Sequence, residues 1–185
     1  MGSAERPARG CAQALVEAVT ARPPTLADGR LLCLDGPAGS GKTTLAGEVA
    51  MLTGAPVVHM DAVYAGWAGL DHLTDVLDPL LLPLGRGEAG RYRRYDWHAG
   101  RFAEWVHVPP APLLVLEGVG SGLAAYADLV TLLAWLDAPV GQRKERALAR
   151  DGDDFAPHWD AWAEAEARHF DRDRTRARAD IVIAT

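Results

Sequence analysis

Leu31-Leu32-Cys33-Leu34-Asp35-Gly36-Pro37-Ala38-Gly39-Ser40-Gly41-Lys42-Thr43-Thr44 is the stretch whose reading decides the fold. An apolar run closes at Asp35, a glycine-rich turn follows, and a helix pattern begins at Lys42. Gly36, Gly41, Lys42 and Thr43 fit the phosphate-loop spacing G-x-x-x-x-G-K-[ST]. The glycines let the backbone approach an anion closely, and the freed N–H groups form a nest for it. The helix that follows aims its positive end at the same place. Lys42 adds a full charge at the β- and γ-phosphates, and the Thr43 hydroxyl is placed to hold Mg²⁺. Gly36, Pro37, Ala38, Gly39, Ser40, Gly41, Lys42, Thr43 and Thr44 are therefore the candidate nucleotide cradle, with Lys42 expected to extend into an open loop. The chain has only two lysines against seventeen arginines, so a lysine at this position is not a compositional accident.

Outward from that stretch, apolar strand runs alternate with helix patterns. Residues 1–8 read as loose and residues 9–21 as a helix, ended by Arg22-Pro23-Pro24. Strands are expected at 31–35, 56–60, 112–118, 130–136 and 179–183, and helices at 42–53, 70–83, 121–127, 139–151 and 157–172. Residues 91–108, basic and aromatic, read as short irregular strands and loops lying over a site. Such alternation predicts an α/β fold with a five-stranded parallel sheet covered on both faces. Ligands bind beyond the carboxyl ends of such strands. Asp35, Asp61, Glu117 and Asp137 all stand there.

A chain of 185 residues suits one domain: an N-terminal helix and linker over 1–30, then a core over 31–185. A net charge of −6 gives no general attraction to nucleic acid or to an anionic membrane. No apolar run is long enough to span a bilayer. Cys11, on a helix, and Cys33, in a strand, do not suggest a disulfide, and a reducing cytoplasm is the expected setting. The six histidines show no paired metal spacing, and His59 reads as a packed strand residue.

The chain contains no asparagine, which excludes the N-K-x-D base-reading motif of GTPases. Its remaining motifs resemble, in order, those of the uridine kinase-like branch of the P-loop nucleoside and small-molecule kinases. Gly36–Thr43 resembles the phosphate loop of that branch, and Met60-Asp61-Ala62-Val63-Tyr64 its S-x-D-x-F-Y segment. Tyr95-Asp96-Trp97 with Arg101 resembles its Y-D-F segment, and Leu116-Glu117-Gly118-Val119 its F-E-G-I strand end. Arg143 through Asp151 resembles its arginine lid, and Ala179–Ile183 its closing strand. The chain departs from the pattern on the acceptor side, with His59-Met60 where serine precedes the aspartate and Val63 where an aromatic precedes Tyr64.

The resemblance implies a P-loop NTPase-type three-layer αβα sandwich with a small lid over about 143–155. It implies an ATP- and Mg²⁺-dependent phosphotransferase acting on a hydroxyl of a small, nucleoside-like molecule. Asp61 would take the acceptor proton, Thr43 and Glu117 would serve the metal, and Arg143, Arg146 and Arg150 would stabilise transferred charge. The acceptor wall would comprise Asp61, Tyr64, Trp67, Tyr92, Tyr95, Asp96, Trp97 and Arg101. Two alternatives stay open: a cytidylate-type nucleoside monophosphate kinase, with arginines in the 91–101 segment for an acceptor phosphate, and a nucleotide-binding regulatory domain without turnover. The expected partner is the small-molecule acceptor, with neither nucleic acid nor membrane, and a homodimer is an allowed assembly.

Overall fold

The computed structural model describes residues 5–152 and 155–185. The apolar run before the glycines forms strand β1 (Arg30–Asp35). Four further strands lie parallel to it: β2 (Val57–His59), β5 (Leu113–Glu117), β6 (Leu132–Asp137) and β7 (Ile181–Ala184). Their order is β2-β5-β1-β6-β7, with β1 in the middle. Residues on β1 alternate between two cores, as a two-residue period requires. Leu32 and Leu34 pack with Ala12, Leu15 and Val19 of α1 (Glu5–Thr20) and Leu45, Ala46 and Val49 of α2 (Lys42–Thr53). Leu31 and Cys33 face the other way, in the core that holds Leu73, Leu77, Leu80 and Leu84 of α3 (Leu73–Gly85). The same core takes Trp159 and Trp162 of α5 (Trp159–Asp173). The result is the expected α/β sandwich, with helices on both faces of a five-stranded parallel sheet.

Several local expectations shift. The first helix starts at Glu5, earlier than the sequence suggested, and α3 continues through Pro79 and Pro83 to Gly85. Residues 91–108 are not irregular: β3 (Gly90–Asp96) and β4 (Arg101–Val108) form a regular antiparallel hairpin with one register shift between Arg93 and Tyr95. The segment near 121–127 shortens to a single 3-10 turn, Ala124–Tyr126. Helix α4 (Val140–Asp151) carries the three candidate lid arginines, while Asp153 and Asp154 of the expected break lie outside the described residues. Both cysteines are free thiols. Among the described residues, no helix is long and apolar enough to cross a membrane.

Candidate active site

The glycine turn between β1 and α2 adopts the conformation its composition requires. Gly36 has φ +138°, and a Cβ there would lie 2.2 Å from the Leu136 carbonyl oxygen. Gly39 has φ +77°, and a Cβ there would lie 2.2 Å from the Arg143 carbonyl oxygen. Larger residues would push the loop off β6 and α4. Asp35, fully buried, fixes the base of the loop. Its carboxylate accepts the N–H groups of Gly36 (2.7 Å), Gly120 (3.0 Å) and Gly122 (2.8 Å). Burial raises its pKa to about 6 against the lowering effect of those donors. Asp35 therefore joins the phosphate loop to the loop after β5.

Lys42 does not extend into open space. It is buried, and its Nζ donates to the carbonyls of Gly36 (2.8 Å) and Pro37 (2.9 Å). Burial lowers its pKa, while Glu117 and Asp35 pull it back up. Arg143 is also turned inward. It forms a buried ion pair with Glu166 of α5 at 3.0 Å and donates to the Ala38 carbonyl at 3.2 Å. Glu166 in turn accepts the Ala38 N–H at 2.8 Å. Both polar backbone groups of Ala38 are thus held by one salt bridge, which corrects the reading of Arg143 as a lid arginine facing the transferred phosphate.

The metal candidates meet. The Thr43 hydroxyl donates to Glu117 Oε1 at 3.1 Å. The same oxygen lies 2.6 Å from His59 Nδ1. His59 is therefore not a packed strand residue; it is half exposed at the carboxyl end of β2, and its hydrogen bond to the Glu117 carboxylate raises its pKa. A hydroxyl and a carboxylate beside a helix N-terminus suit a hard cation such as Mg²⁺ together with phosphate oxygens. Asp61 lies on the 3-10 turn that follows β2, and its carboxylate is 3.9 Å from the Arg150 guanidinium.

These groups line one cavity of about 930 Å³ with Ala38, Gly39, Gly41 and Thr44 at its phosphate end. Tyr64, Trp67, Tyr95, Trp97, Arg146 and Arg150 of the expected site also line it. Tyr92, Asp96 and Arg101 do not line that cavity. Tyr92 packs against the core beside α3, and Asp96 accepts the Ala99 N–H at 2.9 Å to cap the hairpin turn. Arg101, paired with Asp96 in the hairpin register, is exposed.

The wall also contains residues that sequence reasoning assigned elsewhere. Phe155 and Trp162 line the cavity, and His158 stacks on Trp67 with ring centroids 4.3 Å apart. The expected helix over 157–172 carried Trp162 as a helix residue, and no local signal showed which face would turn to the site. Glu166 had a signal only in hindsight: a lone carboxylate on the apolar face of an amphipathic helix needs a partner.

No family model matches the chain, and no curated protein matches it in sequence. Solved structures do. A possible uridine kinase from Bacillus stearothermophilus superposes with a TM-score of 0.60 at 21% identity, over 84% of this chain and 89% of that one. A candidate fructose transport system kinase from Silicibacter superposes with a TM-score of 0.63 at 17% identity, over 95% and 98%. At these identities the superpositions show a shared fold and nothing further. The chain shares the α/β fold of these two proteins, a five-stranded parallel sheet with helices on both faces.

Proposed function

We propose that this protein is an ATP-dependent phosphotransferase that phosphorylates a hydroxyl of a small, nucleoside-like molecule. The observation that carries the reading is that the phosphate loop, the Thr43–Glu117 pair and Asp61 line the same cavity. Phosphoryl transfer asks a protein mainly for positioning, charge neutralisation and exclusion of water. The loop amides and Lys42 hold the triphosphate once Lys42 leaves the carbonyls of Gly36 and Pro37. Thr43 and Glu117 would hold Mg²⁺, which would supply neutralisation of phosphate charge. Asp61 accepts the acceptor proton, and Arg146 and Arg150 approach the phosphates from α4.

The monophosphate-acceptor alternative needs cationic groups on the acceptor wall. Arg91 and Arg101 are not among the residues lining the cavity, and Arg94, which does line it, is engaged by Glu104 at 2.7 Å. That distribution favours a hydroxyl acceptor. The test is acceptor-dependent formation of ADP from ATP across nucleosides, nucleoside monophosphates, sugars and vitamin-like alcohols, with Lys42→Ala as the control. Turnover with a hydroxyl acceptor, lost in a folded Lys42→Ala protein, is the expected result. Turnover confined to monophosphates would replace the reading, and ATP binding without turnover across the panel would favour a regulatory domain.

A further inference from the structure

The cavity lining combines charged groups with a cluster of rings. Lys42, Thr43, Glu117, Asp61, Arg146 and Arg150 supply charged and hydroxyl groups, and His59, Arg94 and His98 also line it. Much of the remaining lining is made of rings. Trp67 stacks on Phe155 (centroids 5.3 Å apart, planes 8° apart) and leans on Trp97 at 4.8 Å. Trp162 closes the floor, 5.3 Å from Tyr64 and 5.9 Å from Trp67.

Several polar atoms among these lining residues are already engaged within the protein. The Tyr64 hydroxyl donates to the Val119 carbonyl, and Tyr64 is buried. The Trp97 indole N–H donates to the Asp61 carbonyl at 2.8 Å. Arg94 is committed to Glu104 through two contacts, at 2.7 and 3.2 Å. A polyol placed against Tyr64, Trp97 and Arg94 would give up hydrogen bonds to water and regain few of them there. A flat, weakly polar ring would lose little on leaving water and would gain burial and ring contacts.

We infer that the acceptor is an alcohol whose reactive hydroxyl is carried on a flat, weakly polar ring, and that the cavity recognises the ring rather than sugar hydroxyls. This rests on the phosphoryl-transfer reading, and it widens the acceptor class from nucleosides to aryl alcohols. In the reaction the acceptor oxygen forms a bond to the γ-phosphorus and the bond from that phosphorus to the β–γ bridging oxygen breaks. ADP leaves with the bond's electron pair, and the hydroxyl proton passes to the Asp61 carboxylate and then to water. The ring stays against Trp67 and Trp97 throughout.

Calorimetric titration of the full-length protein, loaded with ADP and Mg²⁺, separates the classes. Benzyl alcohol and naphthylmethanol serve as ring probes, and uridine and ribose as comparators. Naphthylmethanol is expected to bind at least about tenfold tighter than ribose and no weaker than uridine, a difference within reach of one good ring contact. Trp67→Ala is expected to lose that affinity while ADP affinity stays unchanged. Should Trp67→Ala fail to fold, Trp97→Leu provides the same comparison. Tighter binding of uridine or ribose than of naphthylmethanol overturns the inference and leaves phosphoryl transfer standing. Radiolabelled ATP then tests the underlying reading separately: tight ring binding with no labelled product from any ring probe, nucleoside, nucleoside monophosphate or sugar retires phosphoryl transfer, while the ring preference of the cavity remains measured.

Discussion

The indole nitrogen of Trp97 lies 2.8 Å from the carbonyl oxygen of Asp61. Trp97 sits at the end of the β3–β4 hairpin and Asp61 on the turn after β2, so this hydrogen bond ties the hairpin to the candidate base. The ring of Trp97 also touches Trp67 at 4.8 Å and Tyr95 at 5.2 Å. Ring packing and backbone anchoring therefore act together, and whatever occupies the aromatic side of the cavity bears on where Asp61 stands.

Trp97→Phe keeps a ring and removes the N–H. One net hydrogen bond is worth about 1 kcal/mol, so kcat is expected to fall about fivefold through looser placement of Asp61. ADP affinity and melting temperature are expected to stay near wild type. Steady-state kinetics with calorimetry checks this, and a kcat equal to wild type would remove Trp97 from the positioning of the base.

Asp61→Asn separates proton transfer from nucleotide binding. Loss of a general base costs about 10²–10⁴-fold in rate. The carboxylate stands beyond β2, outside the Thr43–Glu117 pair, so Mg²⁺-dependent binding of a non-hydrolysable ATP analogue is expected to be nearly unchanged. An equal collapse of analogue affinity would assign Asp61 to the metal.

Arg143→Ala is expected to destabilise the fold rather than act only on turnover. Its side chain and that of Glu166 are 10% and 2% exposed, and removing one partner leaves the other buried and uncompensated. Such losses run to about 3–5 kcal/mol. The double variant Arg143→Met, Glu166→Met removes both charges and is expected to cost less than Arg143→Ala alone. Urea unfolding of wild type and the two variants decides the matter, and a double variant less stable than Arg143→Ala would mean that the buried pair does not account for the loss.

Much of this fold was legible because its signals are local. The glycine spacing of Gly36–Gly41 and the apolar runs at Leu31–Leu34 and Leu113–Leu116 each specify a turn or a buried strand without reference to distant residues. The phosphate loop, the meeting of Thr43 with Glu117 and the cavity position of Asp61 follow from strand ends brought side by side in one parallel sheet. The remainder depends on contacts across long separations. Glu166 meets Ala38 from 128 positions away, and nothing near either residue announces the pairing. Arg143, Arg146 and Arg150 share a helix stripe by spacing, yet tertiary packing buries the first and leaves the third half exposed beside Asp61. His59 had a usable signal, since it occupies the carboxyl end of a strand, where ligands bind. The apolar neighbours Val57 and Val58 outweighed it. Tyr92, Asp96 and Arg101 belong to the same sequence segment as Tyr95 and Trp97, but Tyr92 packs on the core, Asp96 caps the hairpin turn and Arg101 is exposed.

The last expectation concerns acid. His169 on α5 is 2% exposed, and both of its ring nitrogens are without a hydrogen-bond partner among the described residues. Burial lowers its pKa; Asp173 and Asp71 oppose that shift, and Arg172 and Arg178 reinforce it. The unfolded chain therefore takes up a proton at this imidazole before the folded one does. By linkage, stability is fully present above the unfolded value of about 6.5 and is lost as pH falls below it toward the lowered folded value. Asp35 acts in the opposite sense. Its folded pKa is raised to about 6, so its contribution is present at low pH and is lost as pH rises through about 6. The two effects offset each other in the wild-type curve, which hides both. Comparison with His169→Leu cancels Asp35, because both proteins contain it. From about pH 8 down to about pH 5.5, the stability of wild type relative to His169→Leu is expected to decline, with a slope of at most about 1.4 kcal/mol per pH unit for one proton. Urea unfolding at several pH values measures that difference. Parallel stability curves for the two proteins would mean that His169 is protonated as readily in the folded state as in the unfolded one.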